Sequence, residues 1–159
     1  MPVLVVDDHD TAIRIVRTLL RQLGFVNVDD ATNVAEALTK MRVKRYGLVI
    51  SDWHTEPMTG CDFLRAVRGD PGLNRTPFIM TGESKSEKVI AAKKAGVNSY
   101  IVKPFNVQTL KAKIEVAFAT RTGPLPERHD AVAVAEASVA TPTSAAARKK
   151  FGGIFTGSL

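Results

Sequence analysis

A regular alternation of short apolar runs with longer amphipathic segments most constrains how this chain can fold. Five runs rich in branched residues predict β-strands, and they are Val3 to Val6, Phe25 to Val28, Leu48 to Ile50, Phe78 to Met80 and Tyr100 to Val102. Each run is followed by a segment with apolar residues at helical spacing, and the first such segment ends at Gly24, a typical helix stop. The pattern predicts an α/β protein with a doubly wound, five-stranded parallel sheet that carries helices on both faces.

The domain organisation follows from length and from a change of composition near residue 120. A chain of 159 residues is long enough for one domain with a substantial hydrophobic core, but too short for two of ordinary size. Gly123 and Pro124 interrupt any helix, and a stretch rich in Ala, Val, Thr and Ser follows them. We therefore predict one domain over residues 1–120 and a flexible, largely disordered basic tail over residues 121–159.

Charge, hydropathy and cysteine content indicate which cellular compartment to expect. No segment approaches the roughly 20 continuous apolar residues that span a bilayer, and the N-terminus does not resemble a secretory signal. The lone Cys61 fits a reducing compartment, so we expect a cytoplasmic protein without membrane insertion. The net charge of +6 comes from Lys and Arg that are scattered among acidic residues, which is typical of a solvated surface. We do not expect binding to DNA.

Polar residues follow four of the predicted strands. In a parallel sheet the carboxyl ends of the strands lie at the same edge, and ligands bind at this edge. Strand one runs into Asp7 and Asp8, and strand three into Asp52. Clustered carboxylates repel one another unless a cation neutralises them, so we expect a bound divalent cation. Oxygen ligands favour Mg²⁺.

The same edge offers a nucleophile and the groups that would assist it. A carboxylate oxygen of Asp52 can attack a phosphoryl group and form an acyl phosphate. Lys103, after strand five, can supply a positive charge to one phosphoryl oxygen, and the Thr81 hydroxyl at the end of strand four can donate a hydrogen bond to another. Positioning and charge stabilisation of this kind account for most of the barrier reduction in phosphoryl transfer.

Four segments carry a family resemblance, in order and at matching spacing: Val5 to Asp8, Val49 to Trp53, Ile79 to Glu83 and Ser99 to Phe105. Over Pro2 to about Ala119 the chain resembles the receiver domains of two-component response regulators. It is most similar to the stand-alone, CheY-like chemotaxis regulators. The resemblance implies the strand order 2-1-3-4-5.

The resemblance also implies a role for each residue of the candidate site. It makes Asp52 the phospho-acceptor and a metal ligand, Asp8 a direct metal ligand, Asp7 a ligand acting mainly through water, and the backbone carbonyl of His54 the remaining protein ligand. Thr81 and Lys103 become the residues that sense the phosphoryl group. Tyr100 becomes an aromatic switch that turns inward when Thr81 moves, and the Lys103–Pro104 peptide is expected to be cis.

The chain departs from the family pattern just after the acceptor. It reads Thr55-Glu56, with Pro57 one place later, where the family usually has Met-Pro. His54 and Glu83 stand at positions where family members differ in dephosphorylation rate. Our hypothesis is that this pair sets the lifetime of the phosphoryl group.

The resemblance implies a signalling switch rather than an enzyme with turnover. A histidine kinase would donate the phosphoryl group, and the activated form would bind a protein target, such as the flagellar motor switch, through helix four, strand five and helix five. A phosphatase of the haloacid-dehalogenase type is disfavoured because it needs a second Asp at position 54, which is His here. An alternative is a CheY-like adaptor whose basic tail binds a second messenger such as a cyclic dinucleotide or another partner.

Overall fold

Strands and helices alternate without exception in the computed structural model, which describes residues 1–121. The strands are β1 (Val3–Val6), β2 (Val28–Ala31), β3 (Leu48–Asp52), β4 (Phe78–Gly82) and β5 (Ser99–Val102). The helices are α1 (Asp10–Gln22), α2 (Val34–Val43), α3 (Gly60–Gly69), α4 (Ser86–Lys94) and α5 (Val107–Arg121). None of these helices is long and apolar enough to cross a membrane. The tail predicted over residues 121–159 lies outside the described residues, apart from Arg121 at the end of α5.

The sheet is parallel throughout and has the order β2-β1-β3-β4-β5, which confirms the predicted fold class and strand order. Side chains alternate across it, as the strand period of two requires. Leu4 and Val6 face a hydrophobic cluster shared with α2, α3 and α4, while Val3 and Val5 face a second cluster shared with α1 and α5. Helices therefore cover both faces of the sheet.

The second strand is the one element that the sequence placed wrongly. We predicted Phe25 to Val28, but β2 begins at Val28, which pairs with Val3 of β1, and continues to Ala31. Because β2 lies at the sheet edge, its polar residues find partners beside the sheet. Asp29 accepts a hydrogen bond from Tyr46 at 2.6 Å, and Asp30 pairs with Arg17. Edge placement thus allows a strand that carries two carboxylates in place of an apolar run.

Two predicted helix stops have the backbone conformation that favours glycine. Gly24 after α1 has φ of +93° and Gly96 after α4 has φ of +97°. This left-handed region suits glycine because a Cβ is disfavoured there. Both positions turn the chain back towards the sheet, so that the next strand can begin.

Candidate functional site

The carboxyl ends of four strands bring the predicted reactive residues together. Asp7 follows β1, Asp52 ends β3 directly opposite Thr81 of β4, and Lys103 follows β5. The Lys103 Nζ atom lies 2.7 Å from Asp52 Oδ1 and 3.8 Å from Asp7 Oδ2. The Thr81 hydroxyl donates a hydrogen bond to Asp52 Oδ1 at 3.2 Å. The ammonium of Lys103 and the hydroxyl of Thr81 thus contact the same carboxylate oxygen, Asp52 Oδ1.

The two central carboxylates are almost fully buried. Asp7 and Asp52 each expose 5% of their surface. Burial raises the pKa of Asp7 above its ordinary value, and the negative charge of Asp52 raises it further, while the backbone N–H of His9 and the charge of Lys103 act in the opposite direction. One ammonium faces two carboxylates, so the pocket carries an excess of negative charge that would attract a cation.

Asp8 offers an oxygen suited to a cation. Among the described residues, Asp8 Oδ1 is the buried side-chain oxygen for which no hydrogen-bond partner is found. The Nδ1 atom of His9 lies 2.8 Å from it, but this short distance does not have hydrogen-bond geometry. Potential ligand atoms of Asp7, Asp8 and His9 all lie within 4.8 Å of one another. An oxygen without a donor is costly to bury, and a divalent cation would compensate that cost.

The structure adds His9 to this group, which the sequence analysis did not identify. It is the N-cap residue of α1, its backbone N–H donates to Asp7 Oδ1 at 3.0 Å, and its ring Nδ1 lies 3.3 Å from the same oxygen. Its position directly after Asp7 and Asp8 was the available signal. The spacing did not indicate how the ring turns.

His54 contacts Asp52 through its backbone N–H, whereas its ring contacts other residues. Its N–H donates to Asp52 Oδ2 at 3.1 Å. The ring Nε2 lies 2.7 Å from Lys88 Nζ and 3.7 Å from Glu83 Oε2. His54 and Glu83, paired from the sequence, are therefore neighbours, and the structure adds Lys88 between them.

Two glycines allow close packing of the backbone and side chains around the site. A Cβ atom at Gly60 would lie 2.2 Å from the Asp52 carbonyl oxygen, so only glycine lets α3 begin so near the end of β3. A Cβ atom at Gly82 would lie 2.5 Å from Tyr100 Oη. Tyr100 uses this space: it exposes only 7% of its surface, and its hydroxyl donates to the Glu83 carbonyl at 2.8 Å. Burial raises the pKa of Tyr100, so its hydroxyl remains protonated at neutral pH.

The loops around the site have two cis peptide bonds. Lys103–Pro104 is cis, as the resemblance implied, and Glu56–Pro57 is cis as well. Within the departure from the family pattern, the buried Thr55 hydroxyl donates to the Met58 carbonyl. Thr59 then forms a capping box with Asp62 at the start of α3. The loop is closed by its own hydrogen bonds despite its unusual sequence.

Replacing Asp7 by Asn should stabilise the metal-free protein at neutral pH, by roughly 0.5–2 kcal/mol. A carboxyl whose pKa is raised on folding favours the folded state below its unfolded pKa, and that contribution is lost as pH rises through the folded pKa. At pH 7 Asp7 is therefore an unfavourable buried charge, and Asn removes the charge while its amide oxygen can still accept from His9. Urea unfolding in chelator checks this, and the gain should shrink as pH falls towards 4. Equal or lower stability at pH 7 would contradict it.

Comparisons with known proteins agree with this geometry. The family model described as the response regulator receiver domain matches residues 3–115. The chemotaxis protein CheY of Pseudomonas aeruginosa is 44% identical over 124 residues, covering 77% of this chain and all of that protein. Chemotaxis protein CheY-3 of Vibrio cholerae is 44% identical over 119 residues, covering 74% of this chain and 92% of its own length. The solved structure of the chemotaxis response regulator CheY4 of Vibrio cholerae has a TM-score of 0.67 at 35% identity, covering 73% of this chain and 97% of that one.

Proposed function

The chain belongs to the response regulator receiver family, and from this premise we propose that it takes a phosphoryl group on Asp52 from a histidine kinase, with Mg²⁺ bound beside it. The observation that carries the proposal is the contact of Lys103 and Thr81 with one oxygen of a buried Asp52. The activated form would bind a protein target in chemotaxis or motility control, as the names of its relatives suggest. Its expected location is the cytoplasm.

The residues at the pocket fit a magnesium ion. Asp8 would bind it directly through the oxygen that has no hydrogen-bond partner, Asp7 would act mainly through water, and Asp52 and the His54 carbonyl would complete the protein ligands. The ion would supply positive charge to the phosphoryl oxygens and reduce repulsion between them and Asp52.

Phosphoryl transfer requires little of the protein besides position and charge. An oxygen of Asp52 forms a bond to phosphorus as the bond between phosphorus and the donor's imidazole nitrogen breaks, and the departing nitrogen keeps the electron pair. Lys103 lies close enough to pair with the transferred group, and the Thr81 hydroxyl can turn from Asp52 to a phosphoryl oxygen. The protein would then act as its own acceptor, with slow self-dephosphorylation and no turnover of other substrates.

The output surface proposed is the face of α4, β5 and α5. It presents three partly exposed apolar side chains, Ile90, Val102 and Val116. Tyr100 connects this face to the site, because it belongs to β5 and its hydroxyl holds the backbone beyond β4. A change at Thr81 would shift the equilibrium between arrangements of this face. The partner would be a protein target, with the flagellar motor switch as one candidate.

The proposal is tested by treating the full-length protein with acetyl phosphate and magnesium and measuring its intact mass. We expect the mass of one phosphoryl group to be added, and excess chelator to prevent the addition because the pocket would lack its cation. Circular dichroism in chelator serves as the control that the domain remains folded. An unchanged mass with a folded domain and magnesium present would contradict the proposal.

A further inference from the structure

The ammonium group of Lys88 contacts three residues beside the candidate site. Its Nζ atom lies 2.7 Å from His54 Nε2 and 3.0 Å from Glu83 Oε1. The same atom lies 5.7 Å from the centre of the Trp53 ring, within range of a cation–π contact. The side chain is only 17% exposed, whereas that of Lys85, which also pairs with Glu83, is 62% exposed. Lys88 is therefore held in one place.

The contacts join three separate parts of the fold. Trp53 and His54 belong to the loop after β3, Glu83 follows β4, and Lys88 lies in the first turn of α4. The hydrogen bond from Lys88 is the largest cause that lowers the pKa of Glu83, so this carboxylate stays ionised and available to Lys88 at neutral pH. A charged group on α4 thus holds both loops that flank Asp52.

The donor and acceptor roles at His54 follow from the chemistry of lysine. An ammonium group has only donors, so His54 Nε2 accepts the hydrogen bond from Lys88.

We propose that Lys88 is a positioning residue that prolongs the phosphorylated state by occupying the acceptor atom of His54, Nε2, while its pairing with Glu83 Oε1 holds it there. This inference rests on the proposed function. In hydrolysis, a water oxygen forms a bond to phosphorus, the bond from phosphorus to Asp52 breaks, the carboxylate keeps the electron pair, and both water protons leave with the phosphate as dihydrogen phosphate. An acceptor that orients the water accelerates this step. While Lys88 donates to His54 Nε2, that nitrogen has no lone pair left to accept from the water, because a ring nitrogen offers only one.

The test uses the full chain and the variant Lys88→Met, which keeps the apolar stem and removes the charge. In the unphosphorylated protein, nitrogen NMR of the imidazole rings should show the His54 Nε2 atom accepting a hydrogen bond in the parent and lacking that bond in Lys88→Met, with a downfield change in its nitrogen shift. After phosphorylation with acetyl phosphate and removal of the donor, the acyl phosphate of the variant should decay at least about fivefold faster, still well below the full effect of a positioned base.

Two further variants control for a purely structural role. Lys85→Met removes a lysine that pairs with the same Glu83 at 3.5 Å, and no hydrogen bond joins Lys85 to His54, so the His54 nitrogen shifts and the decay rate of this variant should match the parent. Lys88→Arg keeps a cationic donor and should restore the parent shift of His54 Nε2. An unchanged Nε2 shift in Lys88→Met would overturn the inference. A changed shift with unchanged decay would overturn the lifetime role alone, whereas a parent protein that never gains mass would overturn the proposed function.

Discussion

Asp52→Asn should abolish phosphorylation, leaving the intact mass unchanged after treatment with acetyl phosphate and magnesium. Asparagine has nearly the shape of aspartate, and its amide oxygen can still accept the Thr81 hydrogen bond, but it lacks the anionic oxygen that would attack phosphorus. Removing a nucleophile leaves only the slow background reaction, so the loss should be complete within detection. The measurement is intact-mass spectrometry, followed by peptide mapping of the parent to locate the modification.

Asp70→Asn is the matched control for this loss. Asp70 caps the end of α3, and its Oδ1 accepts from the Gly72 backbone N–H at 2.8 Å, a bond that the asparagine oxygen can retain. The control should gain mass as the parent does. Modification that persists in Asp52→Asn, or that maps to another residue in the parent, would show that Asp52 is not the acceptor.

Arg68→Met should lower the free energy of unfolding by about 3 kcal/mol, without altering the residues of the site. Arg68 donates to three backbone carbonyl oxygens, those of Asn74, Thr76 and Gly96, at 3.1, 2.7 and 2.9 Å. It also donates to Asn98 Oδ1 at 2.8 Å, and this oxygen accepts from the Phe78 backbone N–H as well. Methionine would fill much of the volume but leave the three carbonyl oxygens without the Arg68 donor, while Asn98 Oδ1 would keep the Phe78 N–H.

Burial lowers the pKa of Arg68 to about 10, so the side chain remains charged at neutral pH. Its hydrogen bonds join the end of α3 to the chain entering β4, and also to the turn before β5, which is distant in sequence. Urea unfolding followed by far-ultraviolet circular dichroism measures the change. Arg65→Met is the control, because Arg65 is exposed and, among residues 1–121, its one ion pair is with Asp62 at 3.4 Å, so the substitution should cost no more than about 0.5 kcal/mol. Equal losses in the two variants would contradict this account of Arg68.

The order of strands and helices could be predicted from the sequence because hydrophobic periodicity reports which residues must be buried. β1 was placed at its observed limits, and the starts of β3 and β4 were correct, since those strands are buried on both faces and read as continuous apolar runs. β2 was misplaced for the opposite reason. Its carboxylates are compensated by Arg17, Lys44 and Tyr46 from elsewhere in the fold, and no local pattern indicates such partners.

The candidate site was predictable in part. Asp7, Asp52, Thr81 and Lys103 were named because each follows or ends a strand, and the structure places these four in contact. His9 and Lys88 were missed. Their roles depend on which way a side chain turns from a helix terminus or a first helical turn, and residue spacing does not give that direction.

By itself, the sequence determined the α/β alternation, the edge of the sheet where polar residues gather, and the chemical groups present there. These follow from burial and strand direction, which are encoded locally by apolar period and strand-end residues. Only the tertiary structure decided that Lys88 lies between His54 and Glu83, that Asp8 keeps a buried oxygen without a donor, and that Arg68 joins α3 to the turn before β5. Such contacts act over a few ångströms and depend on the direction of each side chain, so they exist only once packing has fixed the side chains.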